Sequence, residues 1–354
     1  MLKEEYYVIG VMSGTSLDGL DLVYAQFKRG SKWIFNIIHA ETVSYNGFWI
    51  ETLKGLVDKT TAELEAIDDD YTLFLAKKIQ SFIKKHGITN LDAICSHGHT
   101  ALHEPEKQFT YQIGNRAIIS KLLNRKVVCD FRVQDVELGG QGAPLVPIGD
   151  KLLFSEYDFC LNLGGFSNIS LDFEDKRIAY DICPVNIVLN YYINRLGFDY
   201  DDQGKIASMG SINKGLLVLL NQLEFYRLPP PKSLGLEWVK SNIFPLIEKY
   251  GMEVQDILHT FCEHIAIQLS KEINKKNNAS VLVTGGGVYN TYLMERLQLY
   301  STNKITVPDK TLIEFKEALI FAFLGVLKLR NEVNCLKSVT GALKNHSSGV
   351  IFYP

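Results

Sequence analysis

Short apolar runs separated by glycine turns open the chain, and this pattern predicts strands. Three runs are rich in β-branched and aromatic residues: YYVIGVMS, LDLVYAQF and KWIFNIIHAETVSY. The polar turn GTSLDG joins the first two, as in a hairpin. From about residue 50 to residue 86, apolar positions recur at helical spacing among many Lys and Glu residues. LDAICSHG and KVVCDFR are further predicted strands around the helix RAIISKLLN, so the order is three strands, helix, strand, helix, strand.

A similar arrangement recurs in the second half of the chain, without obvious sequence repetition. YDFCLNLGGFSNISLDF predicts strand, glycine turn, strand, and KRIAYDIC predicts a third strand. A helix that begins at a proline follows, and ASVLVTGGGVYNTYLMERL predicts a strand, a glycine turn and a helix. We therefore expect an α/β protein of two related domains, residues 1–133 and 134–354, with the option that the C-terminal tail returns to the first. Four glycines and two prolines make the loop DVELGGQGAPLVPIGD a candidate hinge between them.

Composition is that of an ordinary globular protein and narrows the function classes. The chain has 354 residues, 46% of them hydrophobic and 22% charged, and that length favours two domains. A net charge of -3 gives no general basic field, so we expect no nucleic-acid partner. The six cysteines include no C-x-x-C pair, which indicates reduced thiols rather than a disulfide framework or a zinc site. Neither a signal peptide nor a run of 18 apolar residues is present, so we expect a cytoplasmic protein without a membrane partner.

Three glycine loops follow apolar strands and suggest anion binding. They are SGTSLDG, NLGGFSN and TGGGVYN. Glycine lets the backbone approach a ligand closely, and backbone N–H groups turned toward one point form an anion-binding concavity. None of the loops fits the Walker or dinucleotide-binding pattern. Each loop alone is better explained as a tight structural turn, but the three together predict a nucleotide held between two related halves.

In their residues and in their order along the chain, these segments resemble those of the anhydro-N-acetylmuramic acid kinase family. That family belongs to the acetate and sugar kinase, Hsp70 and actin superfamily. Between residues 10 and 343 the matching segments are GVMSGTSLDGLDLV, SHGHTALHEP, TYQIGN, CDFRVQDVELGGQGAPLVP, LNLGGFSNISL, YDICPVN, GGGVYN and TGAL. The resemblance implies two actin-like, ribonuclease H-like domains with a nucleotide cleft between them. It also implies a homodimer, for which the helix NIVLNYYINRLGF offers an apolar surface, unless that helix simply packs in the core.

The family's reaction, which the resemblance implies for this chain, has two parts and uses ATP and Mg²⁺. Water opens the 1,6-anhydro bridge of anhydro-N-acetylmuramic acid at C1, and the freed O6 takes the γ-phosphoryl group. The product would be N-acetylmuramic acid 6-phosphate, an amino sugar of cell-wall recycling. Two alternatives stay open: a kinase of a different sugar, and a catalytically weak nucleotide-binding protein that uses cleft closure as a switch.

The resemblance also assigns nucleotide contacts to the three loops. These residues are Gly14, Thr15, Ser16, Leu17, Asp18, Gly19, Leu20 and Asp21 in the first loop, Gly164 and Gly165 in the second, and Gly285, Gly286 and Gly287 in the third. Asp18 would orient Mg²⁺ through water, because phosphoryl transfer depends on positioning and on neutralising charge. The alternative for Asp18 is a turn-forming Asp-Gly pair.

Asp181 is the candidate general base, since glycosidic cleavage by water needs a carboxylate opposite the leaving oxygen. The other expected sugar contacts are His97, His99, Thr100, Arg132, Asp135, Asn186 and Glu317. Arg132 suits a carboxylate of the substrate, or else forms a structural ion pair. His97 and His99 form an H-x-H pair that, with Asp130 and Asp135, could instead hold a hydrolytic metal, although no third ligand falls at a compelling spacing.

The chain departs from the family pattern at three places. Where the family has Asp-x-Gly-Pro-Gly-Asn around the base, this chain has Cys183 and Val185 in place of the glycines. His99 stands where relatives carry Gln, and PPKSLGLEWV replaces Lys-Ser-Thr-Gly-Arg-Glu, losing a Thr and an Arg. These changes leave the shape of the sugar pocket, and with it the identity of the sugar, as the open question.

Overall fold

A computed structural model describes residues 3–14 and 17–354, and in it the chain forms two units. The first unit contains Met1–Leu153 and Phe315–Pro354, and the second contains Phe154–Glu314. The C-terminal tail thus belongs to the first unit. Residues 134–153 also belong to the first unit, whereas the sequence assigns them to the second.

The first unit is built on a six-stranded sheet in the order β13-β7-β4-β1-β2-β3. Its strands are β1 (Glu5–Ser13), β2 (Leu20–Arg29), β3 (Trp33–Val43), β4 (Ala93–Ser96), β7 (Val127–Cys129) and β13 (Val350–Phe352). The first three form an antiparallel meander, and β4 pairs with β1 in parallel. A separate hairpin consists of β5 (His99–Glu104) and β6 (Phe109–Ile113). The helices of this unit are α1 (Gly47–Lys54), α2 (Thr61–Lys85), α3 (Ile118–Leu123), α4 (Val133–Glu137), α5 (Val146–Leu153) and α14 (Lys337–Thr340).

The second unit repeats the strand order on a five-stranded sheet, β10-β9-β8-β11-β12. Its strands are β8 (Phe159–Leu163), β9 (Phe166–Phe173), β10 (Lys176–Pro184), β11 (Ser280–Thr284) and β12 (Lys304–Thr306). Its helices are α6 (Asn186–Ile193), α7 (Lys205–Met209), α8 (Lys214–Asn221), α9 (Leu236–Trp238), α10 (Phe244–Glu248), α11 (Val254–Ile273) and α12 (Thr291–Tyr300). In both units an antiparallel meander of three strands is continued by parallel strands beside the first, in the order 3-2-1-4-5. The predicted α/β class with two related ribonuclease H-like units is confirmed.

The apolar positions of two long helices explain how each helix packs against the core. Helix α2 begins at a capping box between Thr60 and Glu63, and its buried residues recur three and four positions apart, which marks one apolar face. Helix α13 (Lys310–Leu329) begins in the second unit and continues in the first from Phe315. Residues 318–327 of α13 are buried on every side, which is typical of a helix that lies inside a core.

Helix α6 packs mainly into the core of the second unit, in agreement with the simpler of its two interpretations. Val188, Leu189 and Tyr192 are buried there. Tyr191 remains 45% exposed and stacks on the Phe244 ring. The helix therefore contributes only part of an apolar surface. Within the described residues, no helix is both long and apolar enough to cross a membrane.

The glycine-rich segment after α4 is held within the first unit, so the prediction of a hinge between the domains at this point is wrong. The N–H group of Gln141 donates to the Thr340 carbonyl over 2.8 Å, and that of Gly142 donates to the Asp135 carboxylate over 2.7 Å. A Cβ at Gly140 would lie 2.2 Å from the same carboxylate. These contacts attach the segment to the C-terminal chain, and the unit boundary falls after Leu153 instead.

A glycine in β1 offers a test of how closely sheet and helix pack in the first unit. A Cβ at Gly10 would lie 2.1 Å from the Ala318 carbonyl oxygen on α13. Gly10→Ala should therefore lower the free energy of unfolding by about 1–3 kcal/mol through overpacking. Thermal and urea denaturation measure this, with Gly47→Ala as the matched control because nothing lies within 4 Å of its added methyl group. Equal stability of the two variants would contradict this packing.

Candidate active site

Asp181 lies at an irregular end of β10, where the strand bulges between Asp181 and Cys183. The Asp181 N–H group donates to the Lys232 carbonyl over 3.0 Å, and its Oδ2 accepts from the Leu234 N–H group over 2.8 Å. The side chain is half-buried, and burial raises its pKa, while the Leu234 N–H group partly offsets that rise. Oδ1 has no hydrogen-bond partner among the residues that the structure describes. One carboxylate oxygen thus stays available to a ligand.

The segment after the Pro230-Pro231 peptide supplies these contacts through its backbone. Leu234 stands where the family pattern has Thr, yet the bond to Asp181 comes from its N–H group, which any residue except proline provides. The Lys232 ammonium donates to the Phe225 carbonyl over 3.2 Å, and burial lowers the pKa of Lys232. The departure in PPKSLG therefore leaves the support of Asp181 in place.

Cys183 and Val185 point into the core of the second unit, which answers the question that their presence raised. Both are 0% exposed. The Ser167 hydroxyl holds the backbone there, since it donates to the Cys183 carbonyl over 3.0 Å and accepts from the Cys183 N–H group over 3.1 Å. These two side chains fill interior volume and do not extend beside Asp181 at the surface.

The structure brings the two glycine loops of the second unit together with Asn186. The Asn186 N–H group donates to the Gly164 carbonyl over 3.2 Å, and the Val185 N–H group donates to the Gly165 carbonyl over 2.8 Å. Gly285 has φ +86°, and a Cβ there would lie 2.6 Å from the Asn162 side chain, so this loop requires glycine. Gly165 and Gly286 are exposed, which leaves their backbone open to an anion, whereas Gly287 is buried against Leu163.

The first glycine loop is only partly described, because Thr15 and Ser16 lie outside the described residues. The Leu17 N–H group donates to the Gly14 carbonyl over 3.4 Å, and Leu17 has φ +61°. A Cβ at Gly19 would lie 2.7 Å from the Val43 carbonyl oxygen, so the turn passes close to β3. Asp18 is exposed, while Leu20 is buried in the core. The exposed Asp18 carboxylate suits a water-mediated cation contact, and that role stays a prediction.

Arg132 and Glu317 carry opposite charges that interact within the first unit. Arg132 Nε donates to His97 Nε2 over 2.8 Å, and Nη1 donates to the Gly142 carbonyl over 2.7 Å. Burial lowers the pKa of Arg132, and the negative charge of Glu317 opposes that change. Glu317 is exposed on the surface of the first unit, yet partial desolvation of its carboxylate by neighbouring residues raises its pKa. The like charge of Asp21 adds to that rise. Three predicted site residues, His97, Arg132 and Glu317, thus lie close together. An anionic or hydroxyl-bearing ligand that bound there would contact a guanidinium of fixed orientation.

The H-x-H pair does not form a metal site in this structure. His97 Nδ1 donates to the Gly98 carbonyl over 2.9 Å, so its other nitrogen is the one that accepts from Arg132, and no lone pair is left for a metal. His99 begins β5, and burial lowers its pKa to about 4. Both histidines are therefore neutral and hydrogen-bonded near pH 7.

Sequence reasoning missed the hydroxyl network that holds His99. The Ser13 hydroxyl lies 2.7 Å from His99 Nδ1 and 2.6 Å from the Tyr45 hydroxyl. The Tyr71 hydroxyl completes the cluster at 3.0 Å from Ser13. Neither tyrosine belongs to a motif, and they come from separate elements, so no local signal could have identified them. Thr100, also expected at the sugar, is half-buried on β5 next to this network.

Asp135 is 0% exposed, and its position does not support the expected substrate contact. Oδ2 accepts from the Gly142 N–H group, and Oδ1 accepts from the Thr340 hydroxyl over 2.8 Å. Its carboxylate is thus used inside the first unit, where it connects the glycine-rich segment to the C-terminal chain.

Comparison with known proteins adds an independent line of evidence. The family model described as "Anhydro-N-acetylmuramic acid kinase" matches residues 6–354. The chain belongs to this family. Curated anhydro-N-acetylmuramic acid kinases are 33% identical in Sulfurimonas denitrificans, over 98% of this chain and 99% of that protein, and 32% identical in Haemophilus influenzae, over 99% and 98%. The homologue from Pasteurella multocida is 34% identical over 99% of this chain and 98% of its own length.

One solved structure with low sequence identity to this chain illustrates a more distant similarity. Component A of the (R)-2-hydroxyglutaryl-CoA dehydratase of Acidaminococcus fermentans is 12% identical, with a TM-score of 0.47 over 90% of this chain and 96% of that chain. At that level the pair supports no conclusion about this member of the kinase family.

The two-pronged contact of Arg132 generates a stability prediction. Lysine cannot reach His97 and the Gly142 carbonyl together, so Arg132→Lys should leave one buried acceptor unpaired and cost about 1–3 kcal/mol in the free energy of unfolding. Thermal denaturation measures the loss. The exposed Arg125 bonds only to the neighbouring Asn124 carbonyl, and Arg125→Lys is the control that should leave the melting temperature unchanged. An Arg132→Lys protein as stable as the control would refute this anchoring role.

Proposed function

We propose that the protein is an ATP-dependent kinase that hydrolytically opens 1,6-anhydro-N-acetylmuramic acid and phosphorylates its O6, with Asp181 as the general base. The observation that carries the proposal is the Asp181 carboxylate, which has one oxygen held by the Leu234 N–H group, one oxygen without a hydrogen-bond partner among the described residues, and a raised pKa. Membership of the kinase family over residues 6–354 supports the reaction class. The product would be N-acetylmuramic acid 6-phosphate.

In this mechanism Asp181 accepts the proton of the water that attacks C1. As the C1–O6 bond breaks, O6 attacks the γ-phosphorus of ATP, and the bond from that phosphorus to the β-phosphate oxygen breaks, which releases ADP. The leaving O6 is thus captured by phosphorus and needs no separate acid. The Leu234 N–H group fixes the carboxylate through Oδ2, which directs Oδ1 toward the water. The raised pKa makes ionised Asp181 a stronger base than an ordinary aspartate.

In the second unit, the exposed backbone of Gly165 and Gly286 is the proposed nucleotide contact. In the first unit, Gly14 and Asp18 of the first loop are the proposed contacts to phosphate and its cation. The exposed Asp18 carboxylate fits Mg²⁺ held through water, and the cation supplies charge neutralisation on the phosphate oxygens. For the sugar, Arg132 and Glu317 present a guanidinium and a carboxylate in one neighbourhood.

A kinase of a different sugar is the second candidate, because the chain departs from the family around the base. The inward direction of Cys183 and Val185 weakens that alternative, since neither side chain reshapes the surface beside Asp181. Incubation with ATP, Mg²⁺ and a panel of sugars distinguishes the two candidate functions. ADP released only with the anhydro sugar supports the proposal, whereas release only with another sugar, or tight ATP binding without release, contradicts it.

Removing the base while keeping its shape should separate chemistry from binding. Asp181→Asn is expected to lower kcat by about 10²–10⁴-fold, because the amide cannot accept the proton, while nucleotide affinity is retained. Coupled ADP release and calorimetric titration with a non-hydrolysable ATP analogue measure the two properties. Asp175→Asn, in the exposed turn before β10, is the matched control and should be fully active. Substantial kinase activity of the Asp181 variant would exclude this base.

The acid side of the pH profile should depend on the Leu234 N–H group. Asp181 acts when ionised, so kcat/KM falls as pH drops through its pKa, which burial places above the ordinary aspartate value of about 3.9. Leu234→Pro removes the donor that favours the ionised form and should shift this decline to higher pH. Leu234→Ala keeps the N–H group and should leave the decline in place. Coincident profiles for the two variants would show that this bond does not tune the base.

A further inference from the structure

Three groups that commonly bind metals meet in the interior of the first unit, where Gly142 connects them to Arg132. They are the Asp135 carboxylate on α4, the Cys335 thiol and the His346 imidazole, the last two in the C-terminal chain. One ligand atom from each lies within 4.8 Å of the others. The three residues are 0%, 1% and 6% exposed, so the cluster is closed to bulk water.

The His346 ring is the observation that hydrogen bonding within the protein leaves unexplained. Its Nδ1 lies 3.1 Å from the Lys344 carbonyl and must be the N–H donor there. Nε2 therefore carries the lone pair in the neutral ring, and it is buried without a hydrogen-bond partner. It lies 3.5 Å from Asp135 Oδ1, which is a second acceptor. Two buried acceptors that face each other are unfavourable unless a proton or a cation lies between them.

The remaining contacts favour a cation of the zinc type. Asp135 Oδ1 accepts from the Cys335 thiol over 2.9 Å, so loss of that proton would place a thiolate beside the carboxylate and the imidazole nitrogen. Sulfur, nitrogen and oxygen donors are the set that zinc prefers, and a closed site without bulk water is typical of a structural zinc centre. The Thr340 hydroxyl, 2.8 Å from the same Oδ1, is near enough to offer a fourth ligand.

Charge also favours a divalent ion at this position. A carboxylate and a thiolate together neutralise a dication, whereas either anion alone in the interior is costly. Without a cation, the Cys335 thiol keeps its proton and donates it to Asp135 Oδ1. A bound cation reverses this, because metal coordination deprotonates a thiol outright.

We propose that Asp135, Cys335 and His346 form a structural binding site for one zinc-type divalent cation. When the cation binds, the Cys335 thiol releases its proton. Such an ion would fasten the C-terminal chain to α4 and to the glycine-rich segment that follows. Gly142 links the site to Arg132, since its N–H group donates to Asp135 and its carbonyl accepts from Arg132 Nη1. The cation would thus support the guanidinium without taking part in the reaction, and this proposal does not depend on the identity of the sugar.

Cobalt substitution tests the site directly. The purified full-length protein is treated with a chelator, dialysed and titrated with Co²⁺, and the near-ultraviolet thiolate-to-cobalt charge-transfer band is followed. The variants are Cys335→Ser, which keeps a donor to Asp135, and His346→Gln. Cys95→Ala is the matched control, because burial alone raises the pKa of that thiol and no carboxylate or imidazole is involved.

One equivalent of Co²⁺ with a thiolate band in the parent protein and in Cys95→Ala, and loss of the band in Cys335→Ser and His346→Gln, is the expected result. Zn²⁺ should displace the cobalt, and chelation should lower the melting temperature of the parent but not of Cys335→Ser. Absence of a band in the parent, or a band that persists in Cys335→Ser, would overturn the proposal. If His346→Gln does not fold, the Cys335→Ser comparison still decides the question.

Discussion

The bulge between Asp181 and Cys183 is the constraint that sets the directions of the side chains at this end of β10. In a regular strand the side chains alternate strictly between the two faces, so a shift of one position exchanges them. The bulge releases Ile182 from the pairing with β9 and changes the register at that point. As a result the carboxylate of Asp181 meets the backbone of residues 232–234, while Cys183 is buried in the core.

Around this point, backbone groups do most of the positioning. The N–H group that supports Asp181, and the carbonyls that receive the chain at Gly164 and Gly165, belong to the main chain. Side chains can therefore change there at small cost, because the hydrogen bonds of the main chain do not depend on them. The comparison with relatives at about one-third identity over nearly the full length is consistent with that tolerance.

The first unit relies on charge instead. Arg132 is held by a neutral histidine on one side and a backbone carbonyl on the other, and neither contact neutralises the guanidinium. Its positive charge is opposed only by acids such as Glu317, whose own pKa is raised by its surroundings. A partly desolvated cation with fixed orientation is suited to an anionic or polar ligand. The neutral state of His97 follows from the same desolvation and from the nearby guanidinium.

The sequence alone determined the α/β class, the two related meanders and the kinase family, and it suggested Asp181 as the base, which stays a prediction. Those inferences rest on local periodicity, on glycine turns and on the order of the motifs, all of which can be read directly from the amino-acid sequence. It could not determine that residues 134–153 belong to the first unit, because the bonds that hold them come from Thr340 and its neighbours, far away in the chain. Nor could it show that Cys183 points inward, that both nitrogens of His97 are used, or that Asp135 meets Cys335 and His346. Only the tertiary structure decides these points, because burial and long-range hydrogen bonds depend on which distant residues the fold brings together.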